Sequence, residues 1–183
     1  MKKVCLFLAP GFEECEAITA VDLLRRAGIE VTTAAVSSVT TVSGSHGVPV
    51  KADARINDLD LAGFDLLILP GGIPGTPNLK ASPLVASALQ GQVRAGKRVA
   101  AICAGPTVLG ELGLLDGMRA TCYPGCEDGL GGATYDPQPV VTDSYVTTAT
   151  GVGTAIPFAL ELISLLEGPE KAQEIGRQVL YQE

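Results

Sequence analysis

The chain has 183 residues, of which 13 are Lys or Arg and 20 are Asp or Glu, so its formal net charge at pH 7 is −7. An acidic chain without a basic run is unlike a nucleic-acid-binding protein, and no apolar stretch approaches the roughly 20 residues that span a membrane. The length fits one domain, residues 1–183, that buries a full core without metals or disulfides.

Cysteine and histidine usage limits the chemistry further. The five cysteines are an odd number without a Cys-x-x-Cys pair, and the chain has one histidine, so a zinc site has too few partners. We therefore expect reduced thiols, no metal and no cofactor. The N-terminus begins a strand directly and does not follow the plan of a signal peptide, which favours a cytoplasmic location.

Strands and helices alternate along the chain. Short apolar runs predict buried strands, and apolar residues at helical spacing predict helices. In chain order we predict a strand (4–9), a helix (13–28), a strand (31–36), a hairpin (40–51), one helical turn (56–61), a strand (65–70), a helix (82–95), a strand (99–102), a helix (106–113), a strand (119–122), a hairpin (140–148) and two helices (156–166 and 172–180). This alternation predicts an α/β fold with a mostly parallel sheet and helices on both faces.

The stretch Arg98-Val-Ala-Ala-Ile-Cys-Ala-Gly-Pro106 places one cysteine between a strand and a helix. This is the arrangement of a nucleophile elbow, in which a sharp turn pushes the side chain out of the sheet edge and the next helix favours a thiolate. Gly105 has the position expected after the nucleophile, whereas Ala101 replaces the usual glycine before it. The alternative for Cys103 alone is a buried, inert cysteine at the end of a core strand.

Glu16 begins the helix that follows the first strand. In a parallel sheet this is the carboxyl edge, where ligands bind and where Cys103 is also expected. The two side chains are therefore candidates for one site. The alternative is that the acids of this first turn only stabilise the positive end of the helix dipole.

Five colinear segments together resemble one family: Ala9-Pro-Gly-Phe-Glu-Glu-Cys-Glu16, Asp22-Leu-Leu-Arg-Arg-Ala-Gly-Ile29, Leu69-Pro-Gly-Gly72, Ala100-Ala-Ile-Cys-Ala-Gly-Pro106 and Gly151-Val-Gly-Thr154. They are similar to the ThiJ/PfpI superfamily, in the branch of the Parkinson-associated protein deglycase (DJ-one). The resemblance implies a flavodoxin-like three-layer sandwich that forms a homodimer. It also implies that Cys103 is the reactive cysteine, Glu16 the acid beside it, and the backbone N–H groups of Gly72 and Ala104 an oxyanion hole.

The chemistry of a neighbouring thiol and carboxyl agrees with this implication. An ionised Glu16 would repel a thiolate, whereas a protonated carboxyl can donate a hydrogen bond to the sulfur anion. We therefore predict a lowered pKa for the Cys103 thiol and a raised pKa for Glu16. The two groups are expected to titrate as one pair.

The chain departs from the family at several positions. Tyr123 stands where many relatives have a histidine, and its reference pKa of about 10 rules out proton shuttling near neutral pH. Ala104 follows the cysteine where protease-like relatives have a histidine, so a Cys-His peptidase is not expected. Glutamine amidotransferases on related folds need a histidine late in the chain. No histidine follows His46 here, so this activity is not expected. Thr150 replaces a family arginine, which predicts weaker holding of anions near Cys103.

Four further residues are candidate contacts of the site. His46 lies in the predicted hairpin, where dimeric relatives often place an arginine that crosses the interface. It is either a solvated loop residue or a polar contact in the partner subunit's site. Tyr123 stands at the position of the family histidine, and Gly71 and Pro106 belong to the Leu69–Gly72 and Ala100–Pro106 segments that carry the resemblance.

Two functions from different classes fit these residues. In the first, the Cys103 thiolate adds to a 2-oxoaldehyde such as methylglyoxal, Glu16 moves protons between its carbons, and water releases a hydroxy acid. This is glyoxalase III chemistry, and the repair of glycated adducts by a deglycase uses the same steps. In the second, the protein is an oxidative-stress sensor or redox-regulated chaperone whose Cys103 oxidises to a sulfinate. A third interpretation is an inert dimeric domain in which Cys103 has an ordinary thiol pKa.

Overall fold

The computed structural model describes residues 1–182. The strands are β1 (Lys3–Leu8), β2 (Glu30–Ala35), β3 (Thr41–Ser43), β4 (Pro49–Lys51), β5 (Ala54–Arg55), β6 (Leu66–Leu69), β7 (Arg98–Ile102), β8 (Arg119–Ala120), β9 (Thr134–Tyr135), β10 (Val140–Asp143) and β11 (Val146–Ala149). The helices are α1 (Glu14–Arg26), α2 (Gly75–Lys80), α3 (Pro83–Arg94), α4 (Pro106–Glu111), α5 (Ala155–Glu167) and α6 (Pro169–Gln178). Short 3₁₀ turns lie at Ile56–Asp58, Leu61–Gly63, Glu127–Leu130 and Val152–Thr154.

The main sheet has the strand order β10-β11-β7-β6-β1-β2-β5. Its neighbouring strands are parallel, except for β10 and β11, which form the predicted hairpin at one edge. From β1 the chain moves to β2 on one side, and it later returns to β6 on the other side. The carboxyl edge beside β1 and β6 is therefore a topological switch point, where ligands of such sheets bind.

Successive residues of a strand face opposite sides of the sheet, and this periodicity builds two cores. In β1, Val4, Leu6 and Leu8 pack into the core that contains residues of α1, α5 and α6. Cys5 and Phe7 face the other way, into the core that contains residues of α2, α3 and α4. All five side chains are fully buried. The predicted three-layer α/β fold with a mostly parallel sheet is confirmed.

The segment predicted as a strand at 119–122 differs from the prediction. Only Arg119–Ala120 is a strand, and it pairs with β9 in a separate two-stranded sheet. Beyond it, the Thr121 N–H donates to the Thr148 hydroxyl at 2.9 Å. The Tyr123 N–H donates to the Cys103 carbonyl oxygen at 2.8 Å. The chain therefore crosses the carboxyl edge of the sheet instead of extending it, and this crossing brings Tyr123 to the cysteine turn.

The remaining differences between the predicted and the observed elements concern short segments. The helix α2 and the strand β5 were not predicted, because the six residues of the first include Gly75 and Pro77 and only two residues form the second. The helix predicted at 106–113 ends at Glu111, after six residues. Among the helices of residues 1–182, none combines the length and the apolar character that a membrane crossing needs.

Candidate active site

Cys103 lies on a sharp turn directly after β7. Its φ of 65° falls in the left-handed region, which a non-glycine residue adopts at a cost of about 1–2 kcal/mol. The Cys103 N–H donates to the Ala149 carbonyl oxygen at 2.9 Å, and its carbonyl accepts from Tyr123. A Cβ at Gly105 would lie 2.8 Å from the Leu69 carbonyl oxygen, so the turn requires glycine at that position. The backbone thus holds the cysteine where an elbow nucleophile is expected.

Glu16 is 1% exposed and lies in the first turn of α1. The Glu13 carboxylate caps this helix by accepting the Glu16 N–H at 2.8 Å, which fixes the position of the turn. The Oε2 atom of Glu16 accepts the Gly71 N–H at 2.8 Å. The Oε1 atom is buried and has no hydrogen-bond partner among the described residues. This oxygen is therefore free to bind a ligand atom or to carry a proton.

The Glu16 carboxyl and the Cys103 thiol lie close enough for each to shift the pKa of the other. The backbone N–H groups of Gly72 and Ala104 lie beside the same sulfur and lower its pKa. A Cβ at Gly71 would lie 2.6 Å from Cys103 Cβ and 2.8 Å from Glu16 Oε2, so the pair can meet only because residue 71 has no side chain. Three groups, the Glu16 carboxyl and the N–H groups of Gly72 and Ala104, thus converge on one sulfur atom.

The two groups of this pair perturb each other. Burial raises the pKa of Glu16 to about 7, against the opposing effects of the Gly71 N–H and the Cys103 thiol. Burial, followed by the charge on Glu16, raises the pKa of Cys103 to about 12, because the N–H groups of Ala104 and Gly72 do not offset these two effects. The predicted rise at Glu16 is confirmed, and the predicted fall at Cys103 is wrong. The pair therefore releases its first proton near pH 7 and retains the second to about pH 12.

Glu16 and Cys103 line a cleft of about 800 Å³, a size that suits a small organic ligand. Gly72, His46, Tyr123 and Thr150 are among its other lining residues. A second cleft, of about 740 Å³, lies beside Arg55 and Asn78, and none of the predicted site residues lines it. The sequence prediction and the shape of the molecule therefore indicate the same place.

The other candidate contacts occupy different positions. His46 lines the cleft of its own chain, and its ring is 73% exposed, with Nδ1 3.0 Å from Glu14 Oε2. Tyr123 also lines the cleft, and 53% of its surface is exposed. Gly71 contributes its backbone N–H to Glu16. Pro106 is buried at the start of α4 and is not a lining residue, so it is not a contact of the cleft.

Glu14 has a role that the sequence did not predict. Its carboxylate accepts the N–H groups of His46 at 2.8 Å and Val48 at 3.3 Å, together with the Ser45 hydroxyl at 3.3 Å. Burial opposes its charge, but the hydrogen bonds from His46 and Val48 lower the pKa of Glu14 to about 2. Glu14 thereby ties the β3–β4 hairpin to α1. No local pattern indicates this contact, because its donors lie more than 30 residues away in the chain.

Comparison with known proteins places this geometry in a family. The family model described as the DJ-1/PfpI family matches residues 2–165. The chain is 40% identical over 181 residues to Protein dj-1beta of Drosophila melanogaster, covering 98% of this chain and 97% of that protein. It is 38% identical over 178 residues to the Glutathione-independent glyoxalase DJR-1.2 of Caenorhabditis elegans, covering 95% of this chain and 94% of that protein. The structure of oxidized DJ-1 from Toxoplasma gondii matches all of both chains with a TM-score of 0.97 at 38% identity.

Proposed function

The chain belongs to the DJ-1/PfpI family, and from the geometry at Cys103 we propose that it is a cysteine-dependent, cofactor-free enzyme that converts 2-oxoaldehydes into 2-hydroxy acids. The observation that carries the proposal is the convergence of the Glu16 carboxyl and two backbone N–H groups on the Cys103 sulfur inside one cleft. The name of the Caenorhabditis elegans relative, a glutathione-independent glyoxalase, supports this substrate class. The expected homodimer and cytoplasmic location stay predictions.

The first step is addition to the aldehyde carbon. As the Glu16 carboxylate takes the thiol proton, the sulfur of Cys103 forms a bond to this carbon, and the π electron pair of the carbonyl group moves to its oxygen. The N–H groups of Gly72 and Ala104 that lie beside the sulfur stabilise the oxyanion next to it. The protonated Glu16 carboxyl then gives its proton to this oxygen. The product is a hemithioacetal, and Glu16 is left as a carboxylate.

The second step is a proton transfer between the two carbons. The Glu16 carboxylate takes the proton from the carbon bonded to sulfur and returns it to the neighbouring carbon, and the hydroxyl proton on the first carbon passes to the oxygen of the second, so that a thioester of the 2-hydroxy acid results. Its Oε1 atom has no competing hydrogen bond. Water then attacks the thioester carbon, the C–S bond breaks, and the thiol regains its proton. The net change is the addition of one water molecule, with one carbon oxidised and its neighbour reduced.

The test is lactate formation from methylglyoxal by three variants. Cys103→Ser is expected to lose at least about 1,000-fold in kcat, because the attacking thiolate is gone. Glu16→Gln is expected to lose about 100-fold or more, because an amide cannot carry the proton. Cys15→Ser is the matched control, since Cys15 is an exposed cysteine that does not line the cleft. Full turnover in either of the first two variants would refute these roles.

The second candidate function is a redox sensor, and the accessibility of the thiol favours it. Cys103 is partly exposed at the cleft, and a similar structure from Toxoplasma gondii is described as oxidized. A sulfinate at Cys103 could accept a hydrogen bond from protonated Glu16. Mild peroxide treatment followed by intact-mass and peptide analysis separates the two functions. A gain of two oxygens at Cys103 with negligible lactate formation supports the sensor, and an unchanged Cys103 contradicts it.

A further inference from the structure

We propose that the Cys103 cleft selects its ligands by charge: it accepts neutral or cationic 2-oxoaldehydes and their adducts, and it excludes anionic ones such as 2-oxo acids and phosphorylated aldehydes. The choice of 2-oxoaldehydes as the ligands of this cleft rests on the proposed function. The charge selection itself is a property of the cleft and can be measured without any turnover.

Three carboxyl groups lie in or next to the cleft. Glu13 and Glu16 line it, and the Glu13 side chain is only 12% exposed. Glu14 lies directly behind the exposed ring of His46, and oxygens of Glu13 and Glu14 lie within 4.8 Å of each other and of a ring nitrogen of His46. Carboxylates ionise well below neutral pH unless burial opposes them. Even with a protonated His46, the group formed by these residues and the Cys103–Glu16 pair carries a net charge of about −2 above pH 7.

Among the described residues that line the cleft, none is a lysine or an arginine. The position that could most directly supply a cation is Thr150, whose hydroxyl instead donates to the Thr154 hydroxyl at 3.3 Å. The lining of the cleft also includes the exposed apolar or aromatic residues Tyr123, Tyr135 and Val152. The face of a tyrosine ring attracts a cation and does not attract an anion.

Two features oppose the acidic groups, and both are smaller. The N-terminus of α5 lies just beyond the lining residues 150–153, and a helix N-terminus carries about half of a positive charge. The N–H groups of Gly72 and Ala104 can hold an anion, but they already lie beside the Cys103 sulfur. About half of a positive charge does not cancel about two negative ones, so the potential in the cleft stays negative.

The test uses two thiol reagents that differ in charge. Trimethylammonioethyl methanethiosulfonate is a cation, and sulfonatoethyl methanethiosulfonate is an anion. With either one, the Cys103 thiolate attacks the thiol sulfur of the reagent, a disulfide forms, and methanesulfinate leaves with the bonding electron pair. The rate at Cys103 is followed by peptide mass analysis at about pH 8 with a chelator present. Each rate is divided by that of the same reagent with mercaptoethanol, which removes the intrinsic difference between the reagents.

The normalised rate is expected to favour the cation at least about tenfold at low salt. This preference should shrink toward unity at about 0.5 M salt, because salt screens exposed charges. Glu13→Gln is expected to lower the preference about threefold, and Thr150→Arg to abolish or reverse it. Glu167→Gln, which removes an exposed charge at the far end of α5, is the charge-matched control and should change nothing.

A normalised preference of one or less in the unmodified protein overturns the proposal, as does an unchanged preference in Thr150→Arg. Thr150→Arg changes a residue in the loop between β11 and α5, so the proposal can still be tested if Glu13→Gln destabilises the cap of α1. Lactate formation separates the two proposals. A cation preference without lactate formation would contradict the proposed enzymatic function and support the charge selection. Lactate formation without a cation preference would support the enzymatic function and contradict the charge selection.

Discussion

Glu14 and Glu16 are two buried carboxyl groups in the first turn of α1, and they titrate in opposite directions. The pKa of Glu14 is lowered to about 2, whereas that of Glu16 is raised to about 7. Glu14 accepts hydrogen bonds from the tip of the β3–β4 hairpin at both of its oxygens. Glu16 accepts one bond from Gly71, and its second oxygen has no partner among residues 1–182. Glu16 is the more deeply buried of the two and has fewer donors, and these two differences together decide that Glu14 anchors the fold while Glu16 carries a proton.

Each carboxyl group also lies against a glycine. A Cβ at Gly44 would overlap the Glu14 carboxyl group, and a Cβ at Gly71 would lie 2.8 Å from Glu16 Oε2. The two sites therefore depend on a close approach of backbone to carboxylate in the same way. They differ in what the carboxylate then holds, which is a hairpin at Glu14 and a thiol at Glu16.

Among the variants that compare these two carboxyl sites, the largest effect is expected for Gly71→Ala. The added methyl group would lie 2.6 Å from Cys103 Cβ and would push the thiol and the carboxyl group apart, so lactate formation should fall at least about 100-fold. Gly91→Ala is the matched control, because nothing lies within 4 Å of its new methyl group. This control should keep full activity and gain up to about 1 kcal/mol in the free energy of unfolding, since Gly91 lies inside α3.

The comparison also separates what the sequence could predict from what it could not. A continuous apolar run such as the one that contains Leu6 and Phe7 predicts a strand that is buried on both faces, and the structure confirms it. The proximity of Cys103 and Glu16 follows from the rule that parallel strands share a carboxyl edge. The anchor at Glu14 could not be predicted, because it depends on how a hairpin more than 30 residues away packs against α1. The pKa of Cys103 could not be predicted either, because it is the balance of burial, one charge and two donors at atomic distances.

The next effect is expected for Glu14→Gln, which should lower the free energy of unfolding at pH 7 by about 2 kcal/mol, since charge-assisted hydrogen bonds to the hairpin are lost. The folded-state pKa of Glu14 is lowered from 4.5 to about 2, so its contribution is present above pH 4.5 and disappears as the pH falls toward 2. Urea unfolding from about pH 2 to pH 8 should therefore show the two proteins converging in acid. A constant difference at all pH values would contradict the anchor.

Glu16→Gln is expected to change stability in the opposite direction. Because the folded-state pKa of Glu16 is raised from 4.5 to about 7, the protein loses stability as the pH rises between these values. The amide removes this loss, so the variant should be more stable than the unmodified protein at pH 8, by on the order of 2 kcal/mol, and equal to it near pH 4. The same urea titration measures this difference. A variant that is less stable than the unmodified protein at pH 8 would contradict the raised pKa.

The smallest effect is expected for His46→Ala. The ring is 73% exposed, so its ion pair with Glu14 should contribute little to the free energy of unfolding. The backbone N–H of His46 still donates to Glu14 in this variant. A loss as large as that of Glu14→Gln would show that the ring, rather than the backbone, holds the hairpin.

The most direct test of the shared proton is the pH dependence of the reaction between Cys103 and iodoacetamide, a neutral reagent. In the unmodified protein the rate should rise with a midpoint well above pH 9, because burial and the charge on Glu16 raise the pKa of the Cys103 thiol to about 12, and Glu16→Gln should move this midpoint down. A midpoint near 9, the ordinary value for a thiol, or a profile that Glu16→Gln leaves unchanged would contradict the coupling of the two groups.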